Sequence, residues 1–135
     1  MIRGKKDILN KANATVLNFI NQRNEMLKLY YDFGKIKDKK KADVKRFCDT
    51  LIDYVSFGHF CVYETLIKKS ALDAGIKNNT YAQISQTTEI ALTFNDKYET
   101  YHDENSIEVL QNDLSILGEA LCIRLELEDC LLGTI

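Results

Sequence analysis

The residues best suited to catalysis or metal binding are two histidines, four cysteines and the many carboxylates of the C-terminal half. His59 and Cys61 are two positions apart, and on a helix such residues point to different sides, so they cannot form a Cys–His dyad. Glu99 and His102 match the Glu-x-x-His element of di-iron helical bundles. That site needs a second such element and two further glutamates, whereas His59 has Ser56 three residues before it. A metal-dependent helical oxidoreductase therefore stays as an alternative that the sequence disfavours.

The sequence contains no other common catalytic motif: it lacks a P-loop, a Gly-x-Gly-x-x-Gly loop, a Gly-x-Ser-x-Gly elbow and a His-Glu-x-x-His helix. Cys48, Cys61, Cys122 and Cys130 form no Cys-x-x-Cys pair, and we predict reduced thiols that pack as small hydrophobic side chains. His59 is predicted to be partly buried at the edge of a helix core. We predict no catalytic residue, no cofactor and no bound metal, so the protein is interpreted as not an enzyme.

Five side chains suited to recognition recur along one face of the segment 44–67. On a helical wheel, Asp49, Asp53, Phe57, Phe60 and Glu64 lie opposite an aliphatic stripe that faces the core. We call these five residues the recognition strip. Exposed aromatic side chains with charged neighbours are typical of protein-binding surfaces, where the aromatics are buried on binding and the charges select the partner. The same pattern also fits a central helix that is buried on both sides.

The elements that must position the recognition strip are all helical. Apolar residues recur at spacings of three and four, proline is absent, and no alternating strand pattern occurs. The predicted helices span 5–33, 43–69, 81–98 and 106–132, and Thr80 is the predicted N-cap of the third, after a loop over 70–80. Connections of this length favour an all-α fold, an antiparallel bundle of four main helices, and a single domain over residues 1–135.

Each predicted helix has one apolar stripe for the core. The predicted core residues are Leu9, Ala12, Val16, Phe19, Ile20, Met26, Leu27 and Tyr30 in the first helix; Val44, Phe47, Cys48, Leu51, Val55, Val62 and Leu66 in the second; Ile84, Ile90, Ala91 and Phe94 in the third; and Ile107, Leu110, Leu114, Leu117, Leu121 and Leu125 in the fourth. No apolar run is long enough to cross a membrane and no signal-peptide pattern is present, so we predict a cytoplasmic protein without membrane association.

The charges are divided between the two parts of the chain. Residues 1–46 carry 13 Lys and Arg against 5 Asp and Glu, whereas residues 47–135 carry 5 against 15. An acidic field repels nucleic acid and attracts a basic protein. A lysine-rich run over 35–41 has no interleaved aromatic residues and is interpreted as a solvated connection. In the last helix, Arg124 and Glu128 are predicted to form an i,i+4 pair, and Glu126 and Glu128 to extend the acidic surface.

The segment that carries the recognition strip also resembles a known family. Residues 47–64 read FCDTLIDYVSFGHFCVYE, a long ungapped run similar to the signature helix of the Rsd/AlgQ family. Supporting matches are Leu29-Tyr30-Tyr31 in the first helix and residues 114–121 in the last, continuing to Arg124, Leu127, Glu128 and Asp129. Members of this family regulate the primary sigma factor in gammaproteobacteria. The resemblance spans about residues 26–132 and is weak from 68 to 98.

The resemblance implies an anti-sigma function without catalysis. Family members are helical bundles that bind region 4 of the primary sigma factor, which reads the −35 promoter element through a helix-turn-helix and docks on the RNA polymerase β-flap. It further implies that Asp53, which matches an aspartate of the family motif, pairs with an arginine of region 4. Direct nucleic acid binding is not expected. An unrelated basic protein partner remains the alternative, and the sequence does not determine the oligomeric state.

Overall fold

The computed structural model describes the backbone of residues 2–36, 40–69, 71–100 and 107–133, and the side chains of these segments from residue 14 onward. The elements are α1 (Ile2–Lys35), α2 (Lys41–Phe57), a π-helical segment (Gly58–Val62), α3 (Tyr63–Lys69), α4 (Ala74–Tyr98) and α5 (Ile107–Gly133). The helix α2, the π-helical segment and α3 follow one another without a break and form one rod. The predicted all-α fold of four main helical rods is confirmed, and the described segments contain no β-strand.

Neighbouring rods run in opposite directions, as side-chain contacts at both ends show. The ring of Phe33 stacks on that of Phe47 with centroids 5.1 Å apart, while Phe19, earlier in α1, stacks on Tyr54, later in α2, at 5.7 Å. Between the last two rods, Tyr98 donates a hydrogen bond of 2.5 Å to Asp113, and Arg124 reaches back to Thr88, earlier in α4, at 2.7 Å. These contacts establish the antiparallel arrangement that the short connections predict.

The core is built from the apolar stripes, and the stripe of the second rod is buried as predicted. All seven of its predicted residues, from Val44 to Leu66, are buried. In the other rods, Phe19, Met26, Ile84, Ala91, Phe94 and four leucines of α5 are also buried. The predictions for Ile90 and Ile107 are wrong, since both are exposed. Ile90 lies beside the buried stripe of α4, which is centred on Thr87, Ala91 and Phe94. Leu9 and Ala12 lie outside the described side chains.

The predicted loop over 70–80 is mostly helix, which corrects the position of the third helix. The helix α4 begins at Ala74, and its N-cap is Asp73, whose carboxylate accepts a hydrogen bond of 2.9 Å from the Ile76 amide. Thr80 is therefore not a cap but a buried residue within the helix. A capping carboxylate satisfies an otherwise unpaired amide and complements the positive end of the helix, which outweighs the low helix propensity of the Gly and Asn residues that follow.

The described helices have no stretch that is both long enough and apolar enough to cross a membrane.

Replacing the cap tests the corrected start of α4. We expect Asp73→Ala to lower the free energy of unfolding by about 1 kcal/mol, because the Ile76 amide loses its acceptor. Asp73→Asn keeps an acceptor oxygen at that position and should retain most of the stability. Chemical denaturation followed by circular dichroism measures both variants. Equal stability of wild type and Asp73→Ala would contradict a helix start at this residue.

Candidate partner-binding surface

The recognition strip lies on the outer side of the second rod, and four of its five members are exposed. Asp49, Asp53 and Glu64 are exposed, and Phe60 is the most exposed large apolar side chain in the described part of the protein, at 80%. Phe57 is only half-buried because it packs against the hydrophobic core. Of the two aromatics predicted as anchors, Phe60 is therefore free to enter a partner, while Phe57 supports the surface from below.

The strip borders two shallow grooves between the second rod and α4. Near the start of the rod, Asp49 lines a groove of about 270 Å³ together with Asn95 and Glu99 of α4. Two carboxylates and the side chain of Lys45 line this groove, so its acidic charge is partly balanced.

Near the other end of the strip, Phe60 and Glu64 line a groove of about 510 Å³ with Lys77 and Tyr81 of α4. The Glu64 carboxylate also forms an ion pair of 3.0 Å with Lys68, and both side chains are mostly exposed. Exposed pairs of this kind contribute little, so Glu64 can exchange its partner at small cost. Asp53 lines neither groove and points to solvent.

The π-helical segment determines how the strip is presented. The Tyr63 amide donates to the carbonyl of Gly58, five residues back, which is the hydrogen bond of a π-helix. Such a turn rotates less per residue than an α-helix, so the residues after Phe57 are displaced from an ideal wheel. His59 and Cys61 are exposed, and Phe60 stays on the outer side where the wheel places it. The predicted partial burial of His59 is therefore wrong: its ring lies edge-on to that of Phe60, with centroids 4.9 Å apart.

Gly58 makes this turn compatible with a close-packed interior. A Cβ at this position would lie 2.8 Å from the Cζ and Oη atoms of Tyr63 and 3.2 Å from the Phe19 ring. These distances are too short for a real side chain. The absence of a Cβ therefore allows the Tyr63 ring to cross the face of the rod and reach the centre of the bundle.

A buried arginine lies at that centre and joins three rods. Arg124 of α5 is fully buried, and its guanidinium lies over the rings of Tyr54 and Tyr63 at 5.2 and 5.0 Å from the centroids. Its Nη1 atom donates to the hydroxyls of Thr87 at 3.2 Å and Thr88 at 2.7 Å. Thr87 in turn donates to the Ile84 carbonyl at 2.6 Å. These cation–π contacts and hydrogen bonds fix α5 against both α4 and the second rod.

A fully buried carboxylate balances this charge. Glu128 Oε1 accepts hydrogen bonds from Arg124 Nε at 3.2 Å, from the Tyr63 hydroxyl at 2.7 Å and from the Tyr54 hydroxyl. Its other oxygen lies 3.5 Å from Arg23 Nη1 of α1, which also contacts Asp129 at 2.8 Å. The network of Arg124, Glu128, Tyr54 and Tyr63, which we call the central network, thus has partners on all four rods.

Burial shifts the titration of these groups. Burial raises the pKa of Glu128 above its ordinary value, although the tyrosine hydroxyls, Arg124 and Arg23 oppose the rise. Burial and the nearby Glu128 carboxylate raise the pKa of both tyrosines, which therefore stay protonated and can donate. The pKa of Arg124 is also raised: burial lowers it, but Tyr63, Tyr54 and Glu128 outweigh that effect. A buried ion pair is tolerable only when it is hydrogen-bonded in this way.

Sequence reasoning missed the central network. Arg124 and Glu128 were predicted as an i,i+4 pair, which is confirmed, but Glu128 was also predicted to extend the acidic surface, which is wrong. The signal was the spacing: positions 124, 128 and 131 continue the buried stripe of Leu110, Leu114, Leu117 and Leu121. Charged residues on an apolar stripe indicate a buried pair rather than a solvated one.

The cysteines also differ from their prediction. Cys48 is buried as expected, and burial, with Asp49 and Glu99 nearby, raises the pKa of its thiol to about 11. Cys61, Cys122 and Cys130 are exposed, so the prediction of core packing is wrong for them. Cys61 lies on the exposed side of the π-helical segment, and Cys122 and Cys130 lie outside the buried stripe of α5.

The metal hypothesis rests partly on residues that are not described. Glu99 is exposed on the last turn of α4, whereas His102 lies outside the described residues. Within the described segments, no group of three or more His, Cys, Asp or Glu side chains comes together in a way that could hold a metal ion.

Comparison with known proteins adds an independent line of evidence. Residues 3–135 match the family described as "Regulator of RNA polymerase sigma(70) subunit, Rsd/AlgQ". The chain is 30% identical to the Regulator of sigma D of Yersinia enterocolitica over 133 residues, which cover 90% of this chain and 80% of the relative. It is also 30% identical to the Regulator of sigma D of Shigella dysenteriae, with 90% and 83% covered. The matched span includes both the recognition strip and the central network.

Substitution of Gly58 tests the close packing of Tyr63. We expect Gly58→Ala to lower the free energy of unfolding by roughly 1–3 kcal/mol, because the new methyl group would collide with the Tyr63 ring. Gly34→Ala, in α1, is the matched control: no atom lies within 4 Å of its added Cβ, and the helix should be stabilised by up to about 1 kcal/mol. Urea denaturation compares the two. Equal behaviour of both variants would contradict the packing described here.

Neutralising Glu128 tests the central network. We expect Glu128→Gln to lower the free energy of unfolding by roughly 3–5 kcal/mol, because Arg124 would keep its buried charge without a counter-charge. Glu126→Gln, two residues away on the exposed side of α5, should change it by less than about 0.5 kcal/mol. Thermal and urea unfolding give both values. A small effect of Glu128→Gln would mean that the pair is not buried in solution.

Proposed function

Because this chain belongs to the Rsd/AlgQ family, whose members are regulators of the RNA polymerase sigma(70) subunit, we propose that it binds region 4 of the primary sigma factor through the recognition strip. In this proposal, binding covers the surfaces with which region 4 contacts the −35 element and the polymerase β-flap. Transcription from promoters of the primary sigma factor falls, and core polymerase becomes available to other sigma factors. The regulator acts as a binding protein and needs neither catalysis nor a cofactor.

The observation that carries the proposal is the exposed Phe60 beside the exposed carboxylates of Asp49, Asp53 and Glu64 on one rod. A large aromatic side chain that is 80% exposed is costly in water and gains free energy when a partner covers it. Neighbouring carboxylates select a basic partner and fix its register. A helix-turn-helix domain that binds DNA phosphates presents such a basic surface.

Asp53 has a separate role in this proposal. Its carboxylate is exposed and lies between the two grooves in sequence, so an arginine of region 4 can approach it from solvent. A carboxylate and a guanidinium form charge-assisted hydrogen bonds, often two in parallel, and these fix orientation as well as affinity. The surrounding acidic part of the chain raises the rate of encounter with a basic domain.

The buried side of the second rod supports the same proposal. Tyr54, one residue after Asp53, and Tyr63, next to Glu64, are held at the centre of the bundle by Arg124 and Glu128. A strip on such a rod needs little reordering on binding, so less conformational entropy is lost.

Calorimetric titration with isolated region 4 of the primary sigma factor from the same organism tests both function and site. We expect Asp53→Ala to weaken binding at least tenfold, about 1.4 kcal/mol, and Phe60→Ala to weaken it as well. Asp96→Ala removes an equally exposed aspartate from α4 and should bind like wild type. No binding by wild type would refute the function. Binding that is the same in wild type and in Asp53→Ala would keep the function and refute the site.

A further inference from the structure

A third groove, between α4 and α5, is distinct from the two beside the recognition strip. Its volume is about 520 Å³, and its floor is formed by the buried side chains of Phe94 and Leu117. Ile90 of α4 and Ile116 of α5 form its apolar walls, and both are exposed to solvent. The second rod contributes no residue to this groove.

An apolar stripe on α5 extends the groove along the helix. Val109, Ile116 and Ile123 are seven residues apart and are exposed at 45%, 48% and 49%. Residues spaced by seven lie on one edge of a helix, and a repeated apolar residue at that spacing forms the seam between packed helices. The bundle does not use this edge, because its interior is filled by another stripe of α5 that includes Leu110, Leu114, Leu117 and Leu121. The helix α5 therefore has two apolar edges, of which only one is buried among the described residues.

The charges beside the groove identify what can cover the open edge. Glu89 of α4 and Glu119 and Glu126 of α5 are exposed, and the latter two follow Ile116 and Ile123 at a spacing of three. The nearest base, Lys97, is already engaged, because its Nζ atom lies 2.6 Å from the Asp113 carboxylate. A symmetric dimer that pairs this groove with itself would place acidic edges against each other, which is unfavourable. A basic partner would bring complementary charges.

We propose that the α4–α5 groove, extended by Val109, Ile116 and Ile123, binds an amphipathic α-helix with basic flanks from another protein. The partner helix places apolar side chains, spaced by three, four and seven residues, over Phe94 and Leu117. Its lysines or arginines lie against Glu89, Glu119 and Glu126. This site lies on a different wall of the bundle from the recognition strip, so the protein has two protein-binding surfaces.

A synthetic peptide tests this inference without knowledge of the natural partner. The probe is a fluorescein-labelled amphipathic helix of about 18 residues, ~27 Å long, made of leucine and lysine only. Fluorescence anisotropy measures its affinity, and amide shifts in nuclear magnetic resonance spectra locate it. We expect the peptide to bind, to shift the amide signals of α4 and α5, and to bind more weakly as the salt concentration rises. The corresponding leucine–glutamate peptide should not bind.

Paired variants separate the groove from the acidic surface in general. The double variant Ile90→Ser/Ile116→Ser should weaken binding of the leucine–lysine peptide at least tenfold. Leu92→Ser/Leu17→Ser removes two apolar residues that are at least as exposed as Ile90 but lie outside the groove, and it should bind like wild type. All four side chains are exposed, so circular dichroism should show both variants folded. Equal binding by the two double variants, or no binding to wild type, would overturn the inference. Self-association of the wild-type protein that is abolished by Ile90→Ser/Ile116→Ser would also overturn the inference, because a second copy of the chain would then occupy the groove.

Discussion

The ion pair between Arg124 and Glu128 is the constraint on which the rest of the structure depends. Both side chains are fully buried, and moving two charges out of water is costly unless every partner is in place. Tyr54 and Tyr63 supply hydrogen-bond partners from the second rod, Thr87 and Thr88 from α4, and Arg23 supplies an ionic contact from α1. Arg124 Nη2 and Glu128 Oε2 are buried without a hydrogen-bond partner among the described residues, so the pair keeps part of its desolvation cost. Close packing of the apolar stripes and the directional hydrogen bonds of this pair both resist a shift of one rod against another. The contacts of the pair with the other rods therefore contribute to their register.

This register determines what the outer surfaces can do. Tyr54 and Tyr63 point from the second rod into the interior of the bundle. The outer side of the same rod has Asp53, Phe60 and Glu64. Gly58 and the π-helical turn allow Tyr63 to reach Glu128, and the same turn presents His59 and Cys61 to solvent beside Phe60. The contact of Tyr63 with Glu128 inside the bundle and the exposure of residues 59–61 on its surface thus both depend on the π-helical turn. The α4–α5 wall has no such distortion, and its apolar edge follows from regular seven-residue spacing.

The sequence was sufficient to predict the fold class, the four rods and seven buried residues of the second rod, because helical periodicity over long segments is a strong signal. The burial of Tyr54 and Tyr63 on the same rod was not predicted. It was not sufficient for the start of α4, where glycine and asparagine favour a loop but the cap at Asp73 prevails. Exposure of Asp53 and Phe60 also follows from the wheel, whereas the orientation of His59 does not, because the π-helical turn depends on contacts of Tyr63 with distant residues. The i,i+4 spacing of Arg124 and Glu128 fits a solvated pair as well as a buried one, and only their position on the leucine stripe of α5 indicates burial. Their partners on the other rods depend on tertiary contacts that the sequence does not specify.

The π-helical segment also indicates how sequences of this type can diverge. Its turn holds one residue more than an α-helical turn, so the residues on either side keep nearly the orientation that an uninterrupted α-helix would give them. Removal of one residue from 58–62 would therefore join α2 and α3 into one α-helix and leave Leu66 on the side of the core. Removal of one residue from α2 would instead turn every later side chain of the rod by about 100°. A deletion is therefore tolerated more easily in the π-helical turn than elsewhere in this rod.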